Sequence, residues 1–269
     1  MTTLVRELMQ RRLITCGKNA SLGDVAALLT EHRVHAVIVV DQNGEPVGLL
    51  SDFDMLAGEW LSADAESLAA MRAMTAGDLM SSPINMVDAG LPIGEGVAHM
   101  RQQGFHRLVV SEGGTPVGVV SVSDFVAHLA GQEAVGRETV GDVMSHVMLT
   151  CRPETPAIDL ARGLTDSRFR SVLVTDSGGR LLGLISGWDL LACIDGQDCS
   201  HKTAVDLMHP VFTIRRRASL HEAASEMVRT HRHRLVVVDS DDDPPVAVGV
   251  ISSYDIVNEM ARPGSVWRS

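Results

Sequence analysis

Gly249-Val250-Ile251-Ser252-Ser253-Tyr254-Asp255 has three counterparts upstream. They are Gly48-Leu49-Leu50-Ser51-Asp52-Phe53-Asp54, Gly118-Val119-Val120-Ser121-Val122-Ser123-Asp124 and Gly183-Leu184-Ile185-Ser186-Gly187-Trp188-Asp189. Their last aspartates are 70, 65 and 66 residues apart. A second marker precedes each: Glu7-Leu8-Met9, Asp78-Leu79-Met80, Asp142-Val143-Met144 and Asp206-Leu207-Met208, with methionines 71, 64 and 64 residues apart. Two independent marker sets agree on one period, the signature of a repeat architecture. Four such units use nearly all of the 269 residues and leave no room for a separate catalytic domain.

Between the markers each unit reads alike. A short stretch ends near Thr15, Met86, Thr150 or Thr213, and a segment with apolar residues at helical spacing follows (Val25, Leu28 and Leu29 in the first unit, Ala223 and Met227 in the fourth). Then comes a short β-branched run that reads as a buried strand: Ala36–Val40, Arg107–Val110, Ser171–Val174 and Arg234–Val238. Turns follow at Asp41–Gly44, Ser111–Gly114, Asp176–Gly179 and Asp239–Pro245, the first three ending in glycines that supply the positive φ of a tight hairpin. A second strand leads into Ser-x-x-Asp, which opens a closing helix. The predicted unit is β-α-β-β-α, a mixed α/β (α+β) class. A unit of this size leaves a sheet face uncovered and is marginal alone, so the units are expected to pair sheet to sheet. Two domains result, with a boundary near the polar Gly131–Thr139 stretch.

The Asp-Leu-Met start, the His-Arg before a Val-Val strand, the Gly-containing hairpin and the Gly-h-h-Ser-x-x-Asp close resemble the CBS domain, the family named for cystathionine β-synthase. The resemblance covers residues 1–260 in four copies. It implies two tandem pairs, 1–133 (repeats about 1–70 and 71–133) and 134–262 (repeats about 134–200 and 201–262), followed by a tail, 263–269. In that family two modules often pack as a flat disc, and clefts between paired repeats often bind adenosyl ligands. The layout is similar to the nucleotide-sensing γ subunit of AMP-activated kinase. The implied protein is a regulatory sensor rather than an enzyme. Its ligand is AMP, ADP, ATP or S-adenosylmethionine, and occupancy is passed to a protein partner. The alternative is a ligand-free structural or interaction module.

The Ser-x-x-Asp motif has two readings. The carboxylates of Asp54, Asp124, Asp189 and Asp255 suit the two hydroxyls of a ribose, and Ser51, Ser121, Ser186 and Ser252 reach sugar or phosphate at a helix start that favours anions. The same four residues also fit a capping box, worth about 0.5–2 kcal/mol. The aromatics before three of the aspartates, Phe53, Trp188 and Tyr254, fit adenine stacking or core packing. Phosphate needs cations, and basic residues recur just before the first long strand: Arg33 and His35, His106 and Arg107, Arg168 and Arg170, His233 and Arg234. The resemblance implies that Asp54 works with His106 and Arg107, and Asp189 with His233 and Arg234. It likewise joins Asp124 with Arg33 and His35, and Asp255 with Arg168 and Arg170. The competing reading is a solvated helix end stabilised by cations. Thr15, Thr150 and Thr213 are expected to line the nucleotide clefts, with Met86 in the equivalent place.

Composition narrows the rest. The chain is 45% hydrophobic with a formal net charge of -11, which disfavours nucleic-acid and anionic-membrane binding. Neither an 18-residue apolar run nor an apolar leader is present, so a cytoplasmic protein, monomer or homodimer, is expected. The four cysteines are too few for a disulfide scaffold and are expected as thiols, with Cys16 and Cys151 at equivalent packing positions. Cys193-x5-Cys199-x-His201 does not match a common zinc spacing, so no metal is expected.

Overall fold

A computed structural model describes residues 2–56, 73–133, 138–167, 169–194, 199, 201–240 and 244–262. The first repeat runs β1 (Thr15–Gly17), α2 (Leu22–His32), β2 (Ala36–Val40), β3 (Pro46–Ser51) and α3 (Asp52–Leu56). The second runs β4 (Met86–Asp88), α5 (Ile93–Gln103), β5 (Arg107–Glu112), β6 (Thr115–Ser121) and α6 (Val122–Ala130). The third runs β7 (Leu149–Cys151), α8 (Ala157–Ser167), β8 (Ser171–Thr175), β9 (Leu181–Ser186) and α9 (Gly187–Ile194). The fourth runs β10 (Thr213–Arg215), α11 (Leu220–Thr230), β11 (Arg234–Val238), β12 (Ala247–Ser252) and α12 (Ser253–Met260). The predicted β-α-β-β-α order holds in all four.

Each repeat makes a three-stranded sheet in chain order, its first pair parallel and its second antiparallel. The parallel step needs a crossover, and α2, α5, α8 and α11 supply it. Val25 and Leu29 of α2, and Ala223 and Met227 of α11, are buried as their spacing requires. Both faces of the middle strand are covered: Val37, Ile38 and Val39 are all under 3% exposed. That is why these strands read as continuous apolar runs rather than alternating ones. The hairpin glycines do what the turns demand, with φ of +82° at Gly44, +86° at Gly114 and +80° at Gly179.

One element was not anticipated. The stretch ahead of each repeat is a leader holding a one-turn helix: α1 (Val5–Leu8), α4 (Ala76–Leu79), α7 (Val140–Val143) and α10 (Ala204–Leu207). Each leader closes the neighbouring repeat rather than its own. The backbone of Gln10 pairs with Val119, Ser81 with Leu49, Ser145 with Val250 and His209 with Leu184. These bridges cover the free edge of the last strand of each sheet, which would otherwise present unpaired amides. The helix amides are also accounted for: those of Ala76 and Gly77 donate to the carbonyls of Ala20 and Lys18, and the other leaders repeat the pattern.

The same docking explains both sequence markers. The leader methionine sits on the glycine that opens Gly-h-h-Ser-x-x-Asp. A β-carbon added at Gly48 would lie 2.5 Å from Met80 Sδ, at Gly118 2.8 Å from Met9 Sδ, at Gly183 2.7 Å from Met208 Sδ, and at Gly249 2.8 Å from Met144 Sδ. The marker aspartates are capping acids. Asp78, Asp142 and Asp206 each accept the backbone N–H and the hydroxyl of Thr75, Thr139 and Thr203 at 2.7–3.0 Å.

The chain divides into two compact units: Met1–Leu13, Asn85–Met148 and Val211–Ser269 in one, Ile14–Ile84 and Leu149–Pro210 in the other. The first holds repeats two and four around one continuous core that includes Phe125, Leu129, Met227, Leu235 and Ile256. The second holds repeats one and three around two clusters, one on Leu29, Leu50 and Met55, the other on Leu160, Leu164 and Leu190. The tail 263–269 and part of the expected boundary stretch lie outside the described residues.

Cys16 is buried, and burial pushes its thiol up to about 11; Cys151 is raised for the same reason. Both are free, as expected of packing residues. Cys199 is disulfide-bonded, which corrects the expectation of thiols throughout: a compartment argument carries no information on which sulfurs the fold brings together.

Two measurements test this account. Gly118→Ala forces a methyl into Met9 Sδ and the Gln10 carbonyl and should cost about 1–3 kcal/mol. Gly17→Ala, with nothing within 4 Å of the added carbon, should stay within about 0.5 kcal/mol. Equal urea midpoints for the two variants would refute the seat. The threonine N–H and, next, the threonine hydroxyl hold Asp78, Asp142 and Asp206 below the usual carboxylate range. A lowered folded pKa gives stability that is present above the unfolded value of about 3.9 and is lost as pH falls through the lowered value. The urea midpoint should therefore fall from about pH 5 downward. Asp78→Asn/Asp142→Asn/Asp206→Asn should be less stable at neutral pH and should flatten that fall.

Candidate functional site

The four Ser-x-x-Asp motifs stand where the last strand of each repeat hands over to its closing helix. The capping box forms in every copy. One carboxylate oxygen, Oδ2, accepts the backbone N–H and the hydroxyl of the serine three residues earlier. The distances are 2.8 and 2.6 Å for Asp54, 2.8 and 2.7 Å for Asp124, 2.7 and 2.8 Å for Asp189, and 2.7 and 2.6 Å for Asp255. This fixes the carboxylate and leaves its other oxygen, Oδ1, outside the cap.

What meets Oδ1 differs among the copies. Asp124 Oδ1 accepts from Gln10 Nε2 at 3.0 Å, and Asp189 Oδ1 lies 2.7 Å from His209 Nε2. No described residue donates to Oδ1 of Asp54 or Asp255. Asp255 is the most demanding carboxylate of the set. Burial raises its pKa, against the pull of the Ser252 hydroxyl and amide and the charge of Arg234. It lines a polar pocket of about 530 Å³ with Arg101, Asp142, Tyr254, Asn258, Glu259 and Arg262, the last paired with Glu259 at 2.9 Å. In the same pocket wall, the buried Oδ1 of Asn258 has no hydrogen-bond partner among the described residues. Sequence reasoning missed Gln10, His209 and the arginines of this pocket, since only the leader exchange and the packing of α5 on α12 bring them there.

The basic positions cluster at the same sheet end. Arg107 pairs in register with Ser121, and Arg234 with Ser252. The carbonyls of His35, His106, Arg170 and His233 accept the amide of the residue following the motif serine. The side chains are engaged. His35 Nδ1 lies 2.9 Å from Asp52 Oδ2, and its ring meets Trp188 at 4.7 Å. His106 stacks on Tyr254 at 4.3 Å, and His233 Nδ1 lies 2.9 Å from Ser123 Oγ. The ring contacts of His35 and His106 and the His233–Ser123 hydrogen bond each join two repeats of one compact unit, whereas His35–Asp52 lies within the first repeat. Trp188 and Tyr254 thus pack on histidines; the Phe53 side chain lies outside the described residues. Arg33 is the left-handed C-cap of α2, exposed, with φ of +52°. Arg168 lies outside the described residues.

Thr15, Met86, Thr150 and Thr213 hold one ladder position, opposite Ile38, Val109, Leu173 and Val236. All four are exposed. Thr150 lines a pocket of about 310 Å³ inside the third repeat with Cys151, Arg152, Thr155 and Asp159. The Arg152 guanidinium is spent on Thr175 and on the carbonyl of Asp176. Among the described residues no three His, Cys, Asp or Glu side chains are placed to hold a metal ion, and no helix is long and apolar enough to cross a membrane.

Comparison with known proteins places this geometry. An uncharacterized protein of Methanocaldococcus jannaschii, MJ1404, is 24% identical over 191 residues, 69% of this chain and 43% of its own length. The γ subunit of 5'-AMP-activated protein kinase of Saccharomyces cerevisiae is 30% identical over 119 residues, 41% of this chain and 36% of its own. The chain spans 34% to 60% of the length of the first curated relatives it matches. The crystal structure of MJ1225 from Methanocaldococcus jannaschii, proposed there as an archaeal homologue of the AMP-activated kinase γ subunit, aligns with a TM-score of 0.82 at 17% identity. That alignment covers 96% of this chain and 100% of that one, and it shows a shared fold. The model of the CBS domain matches residues 5–58, 76–131, 140–196 and 204–262. The chain belongs to the CBS domain family and carries four copies of the domain.

Proposed function

We propose that this is a regulatory protein whose Ser-x-x-Asp sites take the ribose of an adenosyl ligand (AMP, ADP, ATP or S-adenosylmethionine) and whose occupancy is read by a protein partner. One observation carries the reading. The cap consumes a single oxygen of each aspartate, so a helix cap and a ribose contact are compatible at the same residue. Asp255 adds weight, because a carboxylate kept in a partly desolvated polar pocket is a cost that capping alone does not require. The 30% identity to the yeast kinase γ subunit supports the adenosyl class.

His106 with Arg107, His233 with Arg234, Arg33 with His35, and Arg168 with Arg170 remain the phosphate candidates. Thr15, Thr150 and Thr213 remain the cleft-lining ones. The pairing of the first repeat with the second, and of the third with the fourth, belongs to the same proposal. The exchange of leaders within just those pairs supports it. The protein acts by binding, not catalysis, in the cytoplasm, as monomer or homodimer. A second reading, a ligand-free interaction module, is favoured by the histidines already committed to Trp188, Tyr254 and Ser123.

Thermal unfolding with AMP, ADP, ATP, S-adenosylmethionine and NADH separates the two. A ligand at about a hundred times its Kd adds about 2.7 kcal/mol, roughly 5–10 °C at this size. The shift should shrink in an Asp255→Ala variant that still folds. No shift with any ligand would favour the interaction module.

A stability measurement adds a second check. The raised folded pKa of Asp255 means that burial disfavours the ionised group, a penalty present as pH rises through the folded pKa and absent below the unfolded one. Without ligand, Asp255→Asn should match or exceed the wild-type urea midpoint at neutral pH and lose that advantage in acid. A midpoint well below wild type at neutral pH would show the carboxylate to be stabilising, as a pure cap should be.

A further inference from the structure

The four copies of the motif are not equivalent, and the residue that distinguishes them lies on the exchanged leader. The position after the leader methionine is Gln10, Ser81, Ser145 or His209. Its backbone bridges the last strand of the neighbouring repeat in all four cases. The motif aspartate follows the bridged strand residue by five positions in every copy. Gln10 and His209 are long enough to reach, and each takes Oδ1 of the aspartate below it, at 3.0 and 2.7 Å. Serine is too short. The Ser145 hydroxyl turns back instead onto its own leader, donating to the Val147 carbonyl at 3.1 Å. Asp54 and Asp255, beneath Ser81 and Ser145, keep Oδ1 unclaimed by any described residue, and Asp255 opens on the 530 Å³ pocket.

We infer that the leader residue after the methionine sets which sites take ligand. Asp54 and Asp255 form the open, tight sites, whereas Gln10 and His209 act as built-in competitors that weaken the sites at Asp124 and Asp189. The inference rests on the adenosyl reading above. A ribose hydroxyl arriving at Asp124 or Asp189 must first displace a side chain that already satisfies the oxygen it needs. Losing a hydrogen bond of this kind costs about 0.5–1.5 kcal/mol, which is about 2- to 12-fold in affinity. The His209 contact is with a carboxylate side chain only 9% exposed and belongs at the upper end of that range. Gln10 and His209 are positioning residues, since they act through the aspartates and need not touch a bound ligand.

Equilibrium dialysis of the full chain with labelled AMP, and separately with labelled S-adenosylmethionine, reads the outcome directly. Wild type should show two tighter and two weaker sites for the ligand that binds, and Asp54→Ala and Asp255→Ala should each remove a tighter one. Gln10→Ser and His209→Ser install the residue that the chain itself uses at 81 and 145, so the backbone bridge is kept. Each should tighten one weaker site by about 2- to 12-fold, and the double variant should tighten both. Unchanged thermal midpoints of the ligand-free variants confirm that they fold. Four equal sites in wild type, or no tightening in the serine variants, would overturn the inference while the adenosyl reading stands. Binding of neither probe to any form would overturn that reading and this inference with it.

Discussion

Each sheet in this molecule is finished by a segment that belongs, in chain order, to the neighbouring repeat. The contact is small: a methionine thioether lying on a glycine, with one backbone bridge beside it. Everything else leans on it. Without the leader the last strand is an exposed edge, and a unit of this size lacks the buried surface to persist alone. With it, the edge is paired and the orphan amides of a one-turn helix find carbonyls. The glycine tolerates no side chain because the thioether fills the space a β-carbon would take. The capping threonine and aspartate hold the short helix in register with the turn it docks on. The leader methionine and its glycine, 25 to 109 residues apart in the sequence, are therefore two halves of one joint.

That joint shows what a sequence can and cannot disclose. The strands of each repeat were readable because covered sheets need continuous β-branched runs, and the crossover helices because one face must be apolar every third or fourth residue. The turns were readable because Gly44, Gly114 and Gly179 carry φ values that other residues resist. The two markers were visible as patterns, yet their partnership was not. A methionine and a glycine carry no label for the copy they meet, so nothing in Met9 says that it belongs on Gly118 rather than Gly48. The same blindness hid Gln10 and His209, whose side chains acquire meaning only when the leader is placed on the neighbouring repeat. The disulfide at Cys199 escaped for a related reason, since composition reports how many sulfurs exist and not which ones approach.

At the motif itself, the choice between helix cap and ligand contact dissolves once the two oxygens are considered separately. Oδ2 is held by a serine amide and hydroxyl in all four copies, which orients the carboxylate to within hydrogen-bond precision and charges the helix start favourably. The cap is a local device that any sequence might keep for stability. The environment of the second oxygen is not local, and it is there that the copies part. The histidines nearby tell a similar story: His35 on Trp188 and His106 on Tyr254 use aromatic rings as locks between repeats of one compact unit, so residues that looked like ligand contacts also hold the scaffold.

The position after the leader methionine is well suited to this divergence. Its structural duty is discharged by its own amide and carbonyl, which pair with Val119, Leu49, Val250 or Leu184 whatever the side chain is. That pairing does not need the side chain, and the bridge holds those of Gln10 and His209 within reach of a carboxylate. Few positions in a small domain combine those properties: core residues are fixed by packing, and exposed loop residues are not placed precisely enough to meet one oxygen. A repeat protein built this way can retain four copies of a fold whose every marker is constrained, and still vary one residue per copy to make the copies chemically distinct. Glutamine, serine, serine and histidine at that place keep one backbone bridge and meet the neighbouring aspartates differently.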